Sequence, residues 1–155
     1  MAAAADFAGG FAAGIGLHGA DARVLATFPV EGWDSSVAVD VWQTSDGIVH
    51  GDIHGSGDPE TVKRQVARSL SLDHDGTGWE EVGARDPILG AIQARYDWLR
   101  PVCFFSAYEA ATSFVIGQRI SMRQAATIKA ALAKEHGEVL EIAGQRLDAF
   151  AGRCR

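Results

Sequence analysis

Apolar and other residues alternate over three stretches early in the chain, Arg23 to Phe28, Val37 to Trp42 and Ile48 to His54. A period of two is that of strands with one face buried, so the pattern predicts a small antiparallel sheet. Asp46-Gly47 offers a hairpin turn between the second and third strands, and Glu31 to Ser36 a looser connection between the first and second. The period then changes. Val62, Val66 and Leu70 recur every four residues behind Asp58-Pro59, an N-cap followed by proline at the first helical position. That helix should cover one face of the sheet. Asp73 to Trp79 is a polar, glycine-containing break, after which Asp86-Pro87 opens another helix with Ile88, Leu89, Ile92 and Tyr96 expected to face inward.

The sharpest pattern lies between Leu99 and Gly137 and reads as two capped helices joined by a short polar turn. Ser106 with Glu109, and Ser121 with Gln124, have the spacing of capping boxes, which supply partners to the orphan N–H groups of a helix start. Gly117 and Gly137 are expected to end the two helices as residues that tolerate a positive φ. Gln118, Arg119 and Ile120 then sit at the tip of a helical hairpin, a rigid mount suited to insertion into a groove. The division between a β-rich part, residues 1–94, and a helical part, residues 95–155, falls between Gly76 and Pro101. The fold class is α+β: a small antiparallel sheet packed with helices, followed by the start of an all-helical domain.

Composition narrows the setting. The chain has 155 residues, 47% of them hydrophobic, enough for a real core. No apolar run approaches membrane-spanning length, so a soluble protein with no membrane partner is expected. Met1 to Leu17 lacks a basic leader and is interrupted by Gly9, Gly10, Gly14 and Gly16, which argues against a secretory signal. Cys103 and Cys154 imply no disulfide framework, and a reducing cytoplasm fits them. The expected state is a monomer.

The net charge of −6 is distributed unevenly. Residues 1–94 hold 5 Lys and Arg against 14 Asp and Glu; residues 95–134 hold 6 against 2; residues 135–155 hold 3 against 4. Arg95, Arg100, Arg119, Arg123, Lys129 and Lys134 therefore gather the positive charge around the hairpin. A local basic face can bind phosphates even on an acidic chain, although a solvated helix face is the commoner origin of such a count.

Other constellations are weaker. His50, Asp52 and His54 alternate on the third strand and project from one face, but ligands at period two on one strand do not converge without a fourth group such as His74. Asp73, Asp75, Thr77 and Gly78 open like a calcium loop, yet the twelfth position is Ala84 where a glutamate is required. Gly14-Ile15-Gly16 has no preceding strand and lacks the remainder of a phosphate-binding motif. Phe104, Phe105, Tyr108 and Phe114 read as core aromatics, and Asp86 and Glu109 as caps. Ser121 is first an N-cap, and acceptance of a phosphate at its helix start beside Arg123 is a secondary role. Taken alone, Gln118 and Arg119 merely close a helical hairpin and face water.

Three segments together resemble the type II DNA-3-methyladenine glycosylases, a helix-hairpin-helix family of base-excision-repair enzymes. They are Leu99-Arg100-Pro101, Ser106-Ala107-Tyr108-Glu109-Ala110, where the family usually has proline in place of Ala107, and Gly117-Gln118-Arg119-Ile120-Ser121. Leu70-Ser71-Leu72-Asp73, Arg85-Asp86-Pro87 and an Ala-rich start with Phe7 and Phe11, similar to the family's opening helix, extend the likeness over most of the chain. The resemblance implies binding of double-stranded DNA bearing alkylated bases, flipping of the base, and hydrolysis of its N-glycosidic bond without a metal or organic cofactor. It places the wedge that fills the vacated stack at Arg119, where the family often has an apolar or amide residue, with Gln118, Ile120, Ser121 and Arg123 as further DNA-binding residues. The family's glycine-rich hairpin and catalytic aspartate match nothing in this chain. Phe150 is followed by Ala151-Gly152-Arg153-Cys154-Arg155 rather than by the family's proline, which reads as a truncated or frameshifted end. No catalytic residue is therefore assigned, and the chain by itself is expected to be inactive. A non-catalytic DNA-binding module and a protein-interaction domain are the alternatives.

Overall fold

The computed structural model describes residues 15–18, 23–96 and 103–152. The Leu99-Arg100-Pro101 lead-in, the Ala-rich start with Phe7 and Phe11, and Cys154 lie outside these residues. Four strands, β1 (Ile15–His18), β2 (Arg23–Pro29), β3 (Ser36–Gln43) and β4 (Val49–Gly55), form an antiparallel meander in chain order. The three expected strands are present, and β1 adds a fourth, with Ile15 opposite Ala26 of β2. Between β3 and β4, Gly47 takes φ +87° and its N–H donates to the Thr44 carbonyl at 2.9 Å.

Val24, Ala26 and Phe28 of β2 and Val37, Val39 and Val41 of β3 point to one face of the sheet. They pack there with Val62 and Leu70, from helix α1 (Pro59–Ser69) and its C-cap, and with Phe105. Asp58 caps α1 by accepting from the Thr61 N–H at 2.9 Å, with Pro59 next to it, as the sequence indicates. The opposite face is also covered. Leu25 and Ala38 pack against Ile142, Leu140 and Leu147 of a second hairpin, β5 (Val139–Ile142) and β6 (Gln145–Asp148). Strands β2 and β3 are thus buried on both sides, whereas β4 lies at the sheet edge and is largely exposed. Half-burial fails for β2 and β3 because a segment more than 90 residues downstream supplies the second layer.

Helices α2 (Trp79–Arg85) and α3 (Pro87–Arg95) pack on each other instead of on the sheet. A Cβ added at Gly90 would lie 2.7 Å from the Gly83 carbonyl oxygen, so glycine is what permits this approach. The inward orientation expected for Ile88, Leu89, Ile92 and Tyr96 is not found. Ile88 is 72% exposed and the other three are exposed as well. The glycine seam spends the contact face of α3 on a partner as short as itself, leaving those apolar side chains no sheet to reach. Asp86 does cap α3, accepting from the N–H groups of Ile88 and Leu89. The chain continues into α4 (Ala107–Ile116) and α5 (Met122–His136), the helical hairpin, and then into β5 and β6.

Candidate nucleic-acid interface

One fully buried polar side chain seats the hairpin on the sheet. Gln65 of α1 donates to the carbonyls of Pro29 at 3.3 Å and Phe105 at 3.1 Å, and its Oε1 accepts from the Glu31 N–H at 3.1 Å. It therefore joins the end of β2, helix α1 and the residue just before the α4 N-cap. Arg68 runs parallel to it, donating to the Phe105 carbonyl at 2.8 Å and to the Glu31 carboxylate at 2.6 Å. The Phe105 ring stacks on Phe28 with centroids 4.1 Å apart, and Tyr108 on the first turn of α4 meets Trp33 at 5.4 Å and Phe150 at 6.3 Å. Core packing holds for Phe105, but Phe114 is 69% exposed, its ring meeting that of Phe104 at 6.4 Å.

Both helix starts are capped. Ser121 accepts from the Gln124 N–H at 3.2 Å and the Gln124 side chain accepts from the Ser121 N–H at 2.9 Å, a complete box. At α4, Ser106 Oγ accepts from the Glu109 N–H at 3.1 Å, but the Glu109 carboxylate accepts from Phe105 N–H at 3.3 Å and not from Ser106. The expected box is shifted by one residue on that side.

The expectation for the two glycines is corrected. Gly117 has φ −72° and Gly137 φ −85°, both ordinary for any residue. The left-handed residue of the turn is Arg119, at φ +57°. An arginine there carries a backbone cost of roughly 1–2 kcal/mol that glycine would avoid. Backbone strain of this kind persists where its surroundings over-determine it, and it gathers at functional sites. At Gly137 the constraint is space: a Cβ would collide with the carbonyl oxygens of Ala149 and Ala133.

Gln118, Arg119, Ser121 and Arg123 are exposed on the tip and the first turn of α5, and Ile120 is half-buried. The Gln118 side chain donates back to the Phe114 carbonyl at 3.3 Å and the Ser121 hydroxyl is engaged in its cap, so two of the five expected contact residues are partly occupied in holding the turn. Arg95 and Lys134 are exposed, and Arg100 lies outside the described residues. Lys129 leaves the basic face: it is 4% exposed, packed with its Nζ 5.5 Å from the Phe104 ring centroid and facing the charge of Glu109. Burial pushes the Glu109 carboxyl up and the Lys129 ammonium down, and each charge opposes the other's shift. Sequence reasoning missed this pair because it took Glu109 as a cap and Lys129 as surface charge. The signal was the position of Lys129, four residues before Ala133 on the inner stripe of α5.

His50, Asp52 and His54 do share one face of β4, opposite Trp42, Asp40 and Ala38. The His50 ring stacks on Trp42 at 5.7 Å, and among the described residues no three His, Cys, Asp or Glu side chains converge as a metal site. On the same face Arg23 forms a paired hydrogen bond to Asp40 at 3.0 and 2.6 Å and lies 4.6 Å over the Trp42 ring. Among the described residues, no helix is long and apolar enough to cross a membrane.

No protein-family model matches this sequence, and no curated protein does so at a significant level. Solved structures do match. A 3-methyladenine DNA-glycosylase from Archaeoglobus fulgidus superposes with a TM-score of 0.68 at 21% identity, over 83% of this chain and 44% of that one. An 8-oxoguanine glycosylase/lyase from Clostridium acetobutylicum, in complex with double-stranded DNA containing cytosine opposite 8-oxoguanine, gives 0.56 at 17% identity over 88% and 53%. MBOgg1 in complex with a low-affinity DNA ligand gives 0.57 at 16% identity over 91% and 55%. This chain therefore has the fold of part of the DNA glycosylases, and it spans about half the length of the structures it matches.

Proposed function

We propose that this chain is the N-terminal portion of a base-excision DNA glycosylase for alkylated bases, with its β-rich domain in residues 1–94 and the beginning of its helical domain in residues 95–155. It acts as a cytoplasmic monomer on double-stranded DNA. The reading is carried by Arg119, a charged, exposed side chain held in a left-handed backbone conformation at the tip of a doubly capped hairpin. Extruding a base from a duplex costs a few kcal/mol and leaves a gap in the stack. A planar guanidinium on a rigid mount can stack in that gap and donate to base edges or phosphates. The uncapped part of the α5 N-terminus, with Arg123 beside it, favours a phosphate next to the wedge.

Duplex binding should weaken steeply between about 50 and 200 mM salt, as counterion release requires. Arg119→Ala should lower affinity for a duplex containing an alkylated base about tenfold, equivalent to about 1.4 kcal/mol, and for intact duplex by less. Arg119→Gly should lose the same affinity while keeping or slightly raising thermal stability, since relief of the left-handed cost offsets the extra chain entropy of glycine, about 0.5–1 kcal/mol. Fluorescence anisotropy across a salt series, paired with thermal melts, reads both. Affinity unchanged in both variants would remove the turn from the interface.

The catalytic aspartate implied by the resemblance has no counterpart in the chain. Incubation with duplex carrying 7-methylguanine or 3-methyladenine should therefore release no free base. Release that disappears on substitution within residues 1–155 would overturn this part of the proposal.

A further inference from the structure

One edge of the main sheet is open. Among the described residues no strand lies beyond β4, so Val49–Gly55 has a hydrogen-bonded neighbour on one side only. Its register with β3 runs without a bulge from Val37 opposite Gly55 to Gln43 opposite Val49, and the strand holds neither proline nor lysine, two residues that commonly blunt an edge. The Thr44 N–H donates to the Ile48 carbonyl at 2.9 Å, which makes that pair a bonded one. By the alternation of an antiparallel ladder, His50, Asp52 and His54 then bond to β3, and Val49, Gly51 and Ile53 aim their N–H and C=O groups outward.

The same three positions lie on the face of the sheet that α1 covers. A groove of about 410 Å³ runs there between β4 and α1, lined by Ile53, Val62, Val66 and Leu72. Ile53 is 38% and Leu72 44% exposed, so apolar surface is left beside the open edge. Glycine at position 51 helps to keep the groove empty. Its φ is not left-handed, and an added Cβ would meet the Asp40 carbonyl oxygen and the Val41 side chain at 3.6 Å, an ordinary contact. Neither a turn nor crowding requires glycine here, and glycine weakens a strand interior. What its missing side chain supplies is room for another backbone to approach closely.

The surround is acidic. Asp46 in the turn before β4, Asp52 on it, and Asp58 and Glu60 just after it are all exposed, and Lys63 on the groove lies 4.0 Å from Glu60. Residues 1–94 as a whole hold 5 Lys and Arg against 14 Asp and Glu. Such a field repels phosphates and attracts basic groups.

We propose that the β4 edge and the groove beside it are a docking site for an extended segment of a partner protein in which apolar and basic side chains alternate. Added as an outermost strand, the segment bonds to the main chain of Val49, Gly51 and Ile53. Its apolar side chains enter the groove over Gly51, and its basic ones flank Asp52 on the opposite face of the sheet. The hairpin and its Arg119 turn take no part, so the site is independent of the DNA-contact reading.

The test titrates the full chain with an end-blocked synthetic peptide of the length of β4 that alternates valine with lysine, and follows amide resonances and amide hydrogen exchange by NMR. The peptide should slow exchange at residues 49, 51 and 53. It should bind about tenfold more tightly than a shuffled peptide of the same composition or one alternating valine with glutamate. N-methylation of one set of alternate peptide amides should abolish binding while that of the other set spares it, because one edge of an added strand faces β4 and the other faces water. Gly51→Val fills the groove and should fold as the wild type does while weakening the peptide about tenfold. Asp52→Asn should reduce the preference for lysine over glutamate. The methylated peptides leave the protein untouched, so they decide the matter even if Gly51→Val fails to fold. Absence of binding, binding that tolerates both methylation patterns, or equal affinity for the alternating and shuffled peptides would overturn the proposal. So would protection of the same amides by raising the concentration of the chain alone, since the occupant would then be a second copy.

Discussion

Replacing Gln65 by Leu should destabilise the protein by about 3 kcal/mol, although the two side chains have similar volume and the position is fully buried. The substitution is apolar into an apolar surround, so a simple burial argument predicts little change. What is lost is a set of partners. The Pro29 carbonyl loses the Gln65 donor and the Glu31 N–H loses the Gln65 acceptor; the Phe105 carbonyl loses one donor and keeps Arg68. A buried polar group left unsatisfied costs about 1–3 kcal/mol. At this chain length, a loss of about 3 kcal/mol lowers the melting temperature by about 6–12 °C. Gln65→Glu adds a pH signature. Burial raises the carboxyl's pKa above its unfolded value of about 4.3, so the variant is most stable below that pH and loses stability as pH rises through the higher folded pKa. A Gln65→Leu melt within 2 °C of wild type would show that Gln65 does not join sheet to hairpin.

Gly137→Ala should cost about 3 kcal/mol, more than the same change at glycines whose backbone demands it more openly. Gly144 has φ +72° with open space around its missing side chain, so Gly144→Ala meets only the left-handed penalty, about 1–2 kcal/mol. Gly137 has an unremarkable φ, but its Cβ would fall against the carbonyl oxygens of Ala149 and Ala133. Both are backbone atoms and cannot rotate away. Relief would require the end of β6 to move from the C-terminus of α5, breaking the 2.9 Å bond from the Ala149 N–H to the Glu138 carbonyl and loosening the layer over Leu25 and Ala38. Chemical denaturation of the two alanine variants side by side orders the penalties. If Gly144→Ala proves the costlier, the close approach at Gly137 is not what holds that junction.

Local features were legible wherever a short-range rule decided them. The strands β2, β3 and β4, the Asp58-Pro59 and Asp86-Pro87 helix starts, and the Ser121/Gln124 box all appear where the sequence predicts them. So does the turn at residues 117–121, between the end of α4 and the start of α5. The β5–β6 hairpin was also written locally, as Ala143-Gly144 between two short strands, with φ +48° and +72° at the turn. It escaped because alanine is a poor marker of a left-handed turn beside the usual Asn or Asp.

The sequence by itself determined which segments become β2, β3 and β4, where α1, α3, α4 and α5 start, and which residues stand at the hairpin tip. Those properties depend on neighbours within about one turn of chain, and hydrogen bonds and dihedral preferences act at that range. The tertiary structure alone decided that β2 and β3 are covered on both faces, that α3 turns its apolar side chains to solvent, and that Glu109 and Lys129 are both buried. Each of these outcomes turns on which segments, distant in sequence, become packed together. Burial, charge pairing and close backbone approach are properties of that packing, and no window of local sequence contains the partner that creates them.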